Sequence, residues 1–199
     1  MLMTRHEFVQ SNGIELHYAS RGEGPPVVLC HGFPETWNTW RHQLPALADA
    51  GFHAVAPDLR GCGQSDRPEA VLDYNIFQQV GDIVGLVQAL GEQQAVVVGH
   101  DWGAPIATHC ALLRPDLFKA VVLLSVPYTP RAAAPPTQLM KHLAGDRQFY
   151  QLYFQDPGRA EAELEQDVRK SLAMMLYSAS GDAPPEAAIL DPELGVVVG

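Results

Sequence analysis

The 199-residue chain contains no Lys or Arg cluster longer than a pair, no long apolar run and only three cysteines. Each absence removes a class of function. With 13 basic against 23 acidic residues the net charge is -10 at pH 7, which argues against nucleic acid or an anionic membrane as a partner. The longest apolar runs, near 95–98 and 120–126, are far too short to span a bilayer. Cys30, Cys62 and Cys110 are odd in number and have no C-x-x-C spacing. They read as free thiols of a reducing compartment, not as a disulfide framework or zinc site. Met1–Gln10 mixes Arg5, His6 and Glu7 into a short apolar stretch, so no signal peptide is expected and the chain is expected in the cytoplasm. No G-x-S-x-G, G-x-x-x-x-G-K or H-E-x-x-H occurs, and Gly61-Cys62-Gly63 lacks the third glycine of a dinucleotide site. A serine esterase is thereby disfavoured, and no metal or cofactor is expected.

What is present is a core-forming pattern, 47% hydrophobic overall. Short apolar runs at 27–30, 53–56, 95–98 and 120–125 alternate with helical spacing at 37–50 and 76–90, after a hairpin-like pair at 7–10 and 14–19. Alternating strands and helices predict a mostly parallel α/β sheet with helices on both faces. Composition changes after Pro127. The linker-like Thr129–Pro136 leads into two helical stretches, roughly 137–155 and 159–178, with no strands between them. The expected division is a core over 1–127 and a partial helical cap, or lid, over 128–199. No internal repeats occur.

The most informative segment is Gly99-His100-Asp101-Trp102-Gly103, after the strand Ala95–Val98 and before the helical stretch from Ala104. A strand, a tight turn flanked by glycines and a helix make the context of a nucleophile elbow, with Asp where most carry Ser. An aspartate side chain is ionised at neutral pH and needs no base to activate it. Its oxygen attacks carbon to give an ester, which suits opening an epoxide or expelling a halide. After the strand 27–30 comes His31-Gly32-Phe33-Pro34, whose loop amides can hold developing negative charge. In an elbow fold the two donor amides belong to Phe33 and Trp102. Asp58, Arg60, Ser65 and Asp66 read as a polar network holding the loop after the 53–56 strand. His109 reads as buried on the helix behind the elbow.

H-G-F-P-E-T-W-N-T-W-R, D-L-R-G-C-G-Q-S-D-R-P and G-H-D-W-G-A together resemble the α/β-hydrolase superfamily, in particular soluble epoxide hydrolases, over about residues 7–180. The resemblance implies a hydrolase acting on the ether bond of a small-molecule epoxide, through an alkyl ester on Asp101, to give a diol. It implies oxyanion-hole amides at Phe33 and Trp102, and a pocket for which His31, Pro34, His100 and Trp37 are candidates. In the lid, Q-L-Y-F-Q-D-P-G resembles the segment whose Tyr donates to the epoxide oxygen, which puts Tyr153 in the role of ring-opening acid. A homodimer is allowed. The family's mechanism also needs an acid and a His in later loops. None of the eight histidines stands after the lid, so the chain is expected to be the N-terminal portion of such an enzyme. Two alternatives are a haloalkane dehalogenase, which commonly has Asn where Phe33 stands, and an inert binding fragment that keeps the pocket without the base.

Overall fold

The computed structural model describes residues 3–144 and 149–184, in two compact units, Met1–Tyr128 and Thr129–Gly199. The first unit is built on a six-stranded sheet: β1 (Arg5–Ser11), β2 (Ile14–Arg21), β3 (Pro26–Cys30), β4 (His53–Pro57), β5 (Ala95–His100) and β6 (Phe118–Leu124), in the spatial order β1-β2-β4-β3-β5-β6. The four strands β4, β3, β5 and β6 run parallel, while β1 and β2 form an antiparallel hairpin that joins β4 antiparallel. Asn12 and Gly13 both take positive φ at the hairpin turn, as a tight two-residue hairpin requires.

All five residues of β3 are buried, as expected of a strand covered on both faces. Successive side chains point to opposite faces and enter two separate cores. Val28 packs in one with Leu16, Ile83 and Leu86, the latter two from α2 (Ile76–Ala89), and with Ile106 from α3 (Gly103–Leu113). Leu29 packs in the other with Trp40 and with Leu44 of α1 (Gln43–Asp49). Burying each such leucine or isoleucine stabilises the fold by about 1.5–3 kcal/mol. Asn75 starts α2 by accepting from the Phe77 and Gln78 amides.

One expected element is divided. The helical spacing at 37–50 resolves into a 3-10 turn, Trp37–Trp40, followed by α1. Pro45 explains the break, because a continuous helix would put its ring against the Arg41 carbonyl and would lack its amide. In the structure Pro45 sits in the first turn of α1, where that amide has no helical partner to lose.

Strand β6 pairs only with β5 among the described residues, and Val121, Val122 and Leu124 on it are exposed. All three thiols are free. Burial raises Cys30 and Cys62 and pushes Cys110 up to about 12, so none has the lowered value of a reactive thiol.

The second unit is helical, with α4 (Pro136–Ala144), α5 (Tyr150–Tyr153), α6 (Arg159–Leu164) and α7 (Val168–Ser178). The expected helix at 137–155 appears as α4 and α5, with 145–148 outside the described residues. The expected helix at 159–178 is interrupted by a 3-10 turn at Glu165–Asp167. Asp167 leaves helical backbone and accepts from the Lys170 amide, so it starts a new helix instead of continuing the old one. Tyr153 and Ala160 form its buried centre, with Tyr150, Phe154, Leu164 and Met175 packed around them. No described helix is long and apolar enough to cross a membrane.

Candidate active site

Asp101 lies between β5 and α3 with φ +48, a left-handed conformation uncommon for a residue with a side chain. Its amide donates to the Leu124 carbonyl at 3.3 Å and its carbonyl accepts from the Ala104 amide at 3.0 Å, so the turn is pinned from both sides. The flanking glycines are required by close approach. A Cβ on Gly99 would stand 2.1 Å from the Gly103 carbonyl oxygen, and one on Gly103 would stand 2.2 Å from the Cys30 carbonyl oxygen. The elbow is therefore jammed against the end of β3, and that contact brings the two loops together.

The loop after β3 faces the carboxylate directly. The Phe33 amide donates to Asp101 Oδ1 at 3.0 Å. Gly32 lies so near that a Cβ there would stand 2.5 Å from the Asp101 Cβ. The Phe33-Pro34 peptide is cis. Trp102 follows Asp101 as the residue before α3, and the Phe33 and Trp102 side chains are 45% and 49% exposed. The Asp101 carboxylate, the Phe33 amide that bonds it and two exposed aromatic side chains thus belong to one unit.

Glu35 is the residue that motif reading passed over. Its Oε2 accepts from the Gly32 amide at 3.0 Å and stands 3.1 Å from His100 Nδ1, while Oε1 accepts from the Thr39 hydroxyl at 2.8 Å. One carboxylate so fastens the loop after β3 to the residue preceding Asp101. Burial would raise Glu35, but the bonds from Thr39, Gly32 and His100 outweigh it and hold the carboxyl below its ordinary value. The available signal was a lone acid in an apolar loop, four residues before a threonine.

The pocket candidates separate. His31 is wholly buried, and both ring nitrogens are occupied: Nδ1 donates to the Gly32 carbonyl at 2.8 Å and Nε2 accepts from the Leu59 amide at 3.0 Å. Burial holds it below the ordinary histidine value, against opposing pulls from the Gly32 carbonyl, Asp58 and Glu35. It shapes the loop as a neutral ring. His100 is turned to Glu35. Trp37 packs edge-on against His6 at 4.7 Å, and its amide donates to Asp58 at 2.9 Å. The loop network expected after β4 is present: Asp66 accepts from the Glu15 amide, Ser65 bonds the Asp58 carbonyl and the His17 amide, and Arg60 pairs with buried Asp82 at 2.5 Å. His109 is half-buried, with Nδ1 2.7 Å from the Pro105 carbonyl.

In the second unit the expected acid, Tyr153, is 5% exposed and its hydroxyl donates to the Glu163 carboxylate, with the Arg159 guanidinium 4.6 Å above its ring. The Glu163 bond, with burial, raises its pKa. That commits the Tyr153 proton inside its own helical cluster. Tyr150, one turn earlier, is half-buried, and its hydroxyl accepts from the Gln151 amide nitrogen at 2.9 Å. No group of three or more metal-ligating side chains occurs among the described residues.

A parallel sheet carrying a strained acidic elbow over a backbone amide is an α/β-hydrolase arrangement, and the family model for the alpha/beta hydrolase fold matches residues 25–186. The chain belongs to that family. It is 49% identical over 179 residues to Epoxide hydrolase A of Mycobacterium tuberculosis, covering 89% of this chain and 55% of that protein. It is 44% identical over 180 residues to Epoxide hydrolase 3 of Siraitia grosvenorii, covering 90% and 57%. Among solved structures it is similar to an epoxide hydrolase from an endophytic Streptomyces, with TM-score 0.92, 49% identity and coverage of 97% of this chain and 60% of that one. The chain therefore spans somewhat over half the length of these relatives.

Proposed function

We propose that this chain carries the ester-forming half of an epoxide hydrolase, with Asp101 as nucleophile. The observation that carries the reading is the Phe33 amide 3.0 Å from Asp101 Oδ1 at an elbow with φ +48. Oδ1 stays on the amide while Oδ2 attacks an epoxide carbon. The carbon–oxygen bond of the ring breaks, its electron pair goes to the ring oxygen, and that oxygen takes a proton. Oδ1 becomes the ester carbonyl oxygen and, when water later adds, the oxyanion, still facing the amide of Phe33, with the amide of Trp102 as the second donor that the family resemblance implies. The exposed Phe33 and Trp102 side chains and Pro34 line the approach for an apolar small-molecule epoxide. The similarity to named epoxide hydrolases supports this substrate over a halide.

For the proton we assign Tyr150 in place of Tyr153. The Gln151 bond uses an oxygen lone pair of Tyr150 and leaves its O–H to donate, whereas the Tyr153 O–H is already engaged in its hydrogen bond to Glu163. The second half-reaction needs a base to activate water. Neither histidine beside the elbow is placed for it, since His31 has both nitrogens bonded and His100 faces Glu35.

Incubating the chain with a reactive epoxide, followed by intact-mass measurement and peptide mapping, tests the reading. The expected result is one lasting adduct on Asp101. An adduct elsewhere, or none, overturns the assignment, and steady diol release overturns the claim that the ester persists.

A further inference from the structure

We propose that His17 is a positioning residue for the Asp101 site, acting through the Asp58 carboxylate that tethers the loop presenting the Phe33 amide. The inference rests on the reading of Asp101 only for what the loop serves; the tether itself is a matter of geometry.

The loop from His31 to Trp37 is fastened at both ends to the same dipeptide at the end of β4. At its start the Leu59 amide donates to His31 Nε2 at 3.0 Å, and at its end the Trp37 amide donates to Asp58 Oδ1 at 2.9 Å. Phe33 lies between these two fastenings, with its amide on Asp101. Any displacement of Asp58-Leu59 therefore moves both anchors of the loop together.

Asp58 is 1% exposed, so its carboxylate must find its donors inside the protein. Besides Trp37 it collects the Gln64 amide at 3.0 Å and His17 Nδ1 at 2.8 Å, both on Oδ2. Gly63 makes the room for it, because a Cβ there would stand 2.1 Å from Oδ2. His17, on β2, is itself wholly buried and is locked to the same loop by its backbone: its carbonyl accepts from the Asp58 amide at 2.9 Å and its amide donates to Ser65 Oγ at 3.0 Å. The outer ring nitrogen, Nε2, stands 3.2 Å from His6 Nδ1 and 3.4 Å from Gln64 Nε2, and the ring stacks on His6 with an interplanar angle of 10°. A carboxylate accepts only, so what His17 supplies is an N–H at Nδ1. Removing that donor leaves a buried charge short of a partner, and the carboxylate then turns toward water or another donor and lets go of Trp37.

The test separates the donor from the ring. His17→Asn keeps an amide N–H near the place of Nδ1, and His17→Phe keeps a ring without the donor. Amide hydrogen exchange in 31–40 is read against β5 as the internal control, beside the rate of Asp101 alkylation across epoxide concentrations. For His17→Phe, exchange in 31–40 is expected to rise about tenfold or more with β5 unchanged, the scale of one lost charge-assisted hydrogen bond. The maximal alkylation rate should fall by a similar factor at unchanged half-saturating epoxide, and His17→Asn should restore both. The opposite order, with the phenylalanine variant intact and the asparagine variant impaired, overturns the proposal in favour of ring packing, as does equal loss in both or loss in neither. Should His17→Phe lose its cooperative melt, Asp58→Asn takes its place: faster exchange in 31–40 supports the tether and unchanged exchange overturns it. A wild-type chain that is not alkylated at Asp101 removes the reading of the site, while the exchange comparison still decides the tether.

Discussion

Phe33 and Asp101 lie 68 positions apart, yet the backbone amide of one holds a side-chain oxygen of the other at 3.0 Å. Parallel pairing of β3 with β5, which sets Cys30 opposite Gly99, makes that meeting unavoidable: both strands end at one level and their loops emerge side by side. The chemistry of the site is therefore a property of strand register.

Asp101→Asn tests the charge without disturbing the backbone, since Asn is among the residues most tolerant of positive φ. The adduct seen by mass spectrometry is expected to disappear while the melting temperature stays within a few degrees. Asp101→Val, by contrast, should destabilise the unit by about 1–3 kcal/mol, because a β-branched side chain resists that conformation.

Gly32→Ala probes the closeness of the loop. The new methyl group would stand 2.5 Å from the Asp101 Cβ and 2.6 Å from Oδ1. Alkylation is expected to slow about a hundredfold, the usual cost of misplacing a reacting group by about an ångström. The rate of adduct formation measures it, and an unchanged rate would show that the loop yields freely.

Acid should loosen this loop in two stages. The folded protein holds both His31 and Glu35 below their ordinary values, so at each the unfolded chain binds protons more readily. The stability from each is complete above its unfolded value and is lost as pH falls through the folded one. For His31 the loss begins below about pH 6.5, and for Glu35 below about pH 4.3. Melting temperature against pH should fall through both ranges, and Glu35→Gln should flatten the lower part alone.

The two tyrosines of α5 should behave differently. Tyr150→Phe is expected to slow ring opening about a hundredfold or more with little change in melting, the scale of a lost general acid. Tyr153→Phe is expected to cost the second unit about 1–3 kcal/mol through loss of the hydrogen bond to the Glu163 carboxylate, with alkylation nearly unchanged. Adduct kinetics and thermal denaturation of each variant distinguish these outcomes.

The sheet and the elbow were legible because their signals are local. Val27–Cys30 and Ala95–Val98 read as buried strands by composition alone, and only glycine fits at 99 and 103. What escaped depends on three-dimensional partners. Glu35 looks like an ordinary loop acid until Gly32, Thr39 and His100 surround it. Tyr150 and Tyr153 sit in one short motif and cannot be told apart until Glu163, ten positions further on, accepts the hydrogen bond of the second. His17 lies on a mixed hairpin strand outside every motif, and its importance rests on Asp58, 41 residues away.

The strand that borders the elbow is also one of the two edge strands of the described sheet, and the Asp101 amide hangs on its last residue, Leu124. Solubility and reactivity are thus written on the same seven residues. Charges introduced at Val121 or Val122 to suppress aggregation act at exposed positions along this strand, whereas changes near Leu124 pull on the turn that aims the carboxylate. Anyone adapting this chain as a reagent should treat the middle of β6 as surface, its first residue, Phe118, as core and its end as part of the Asp101 turn.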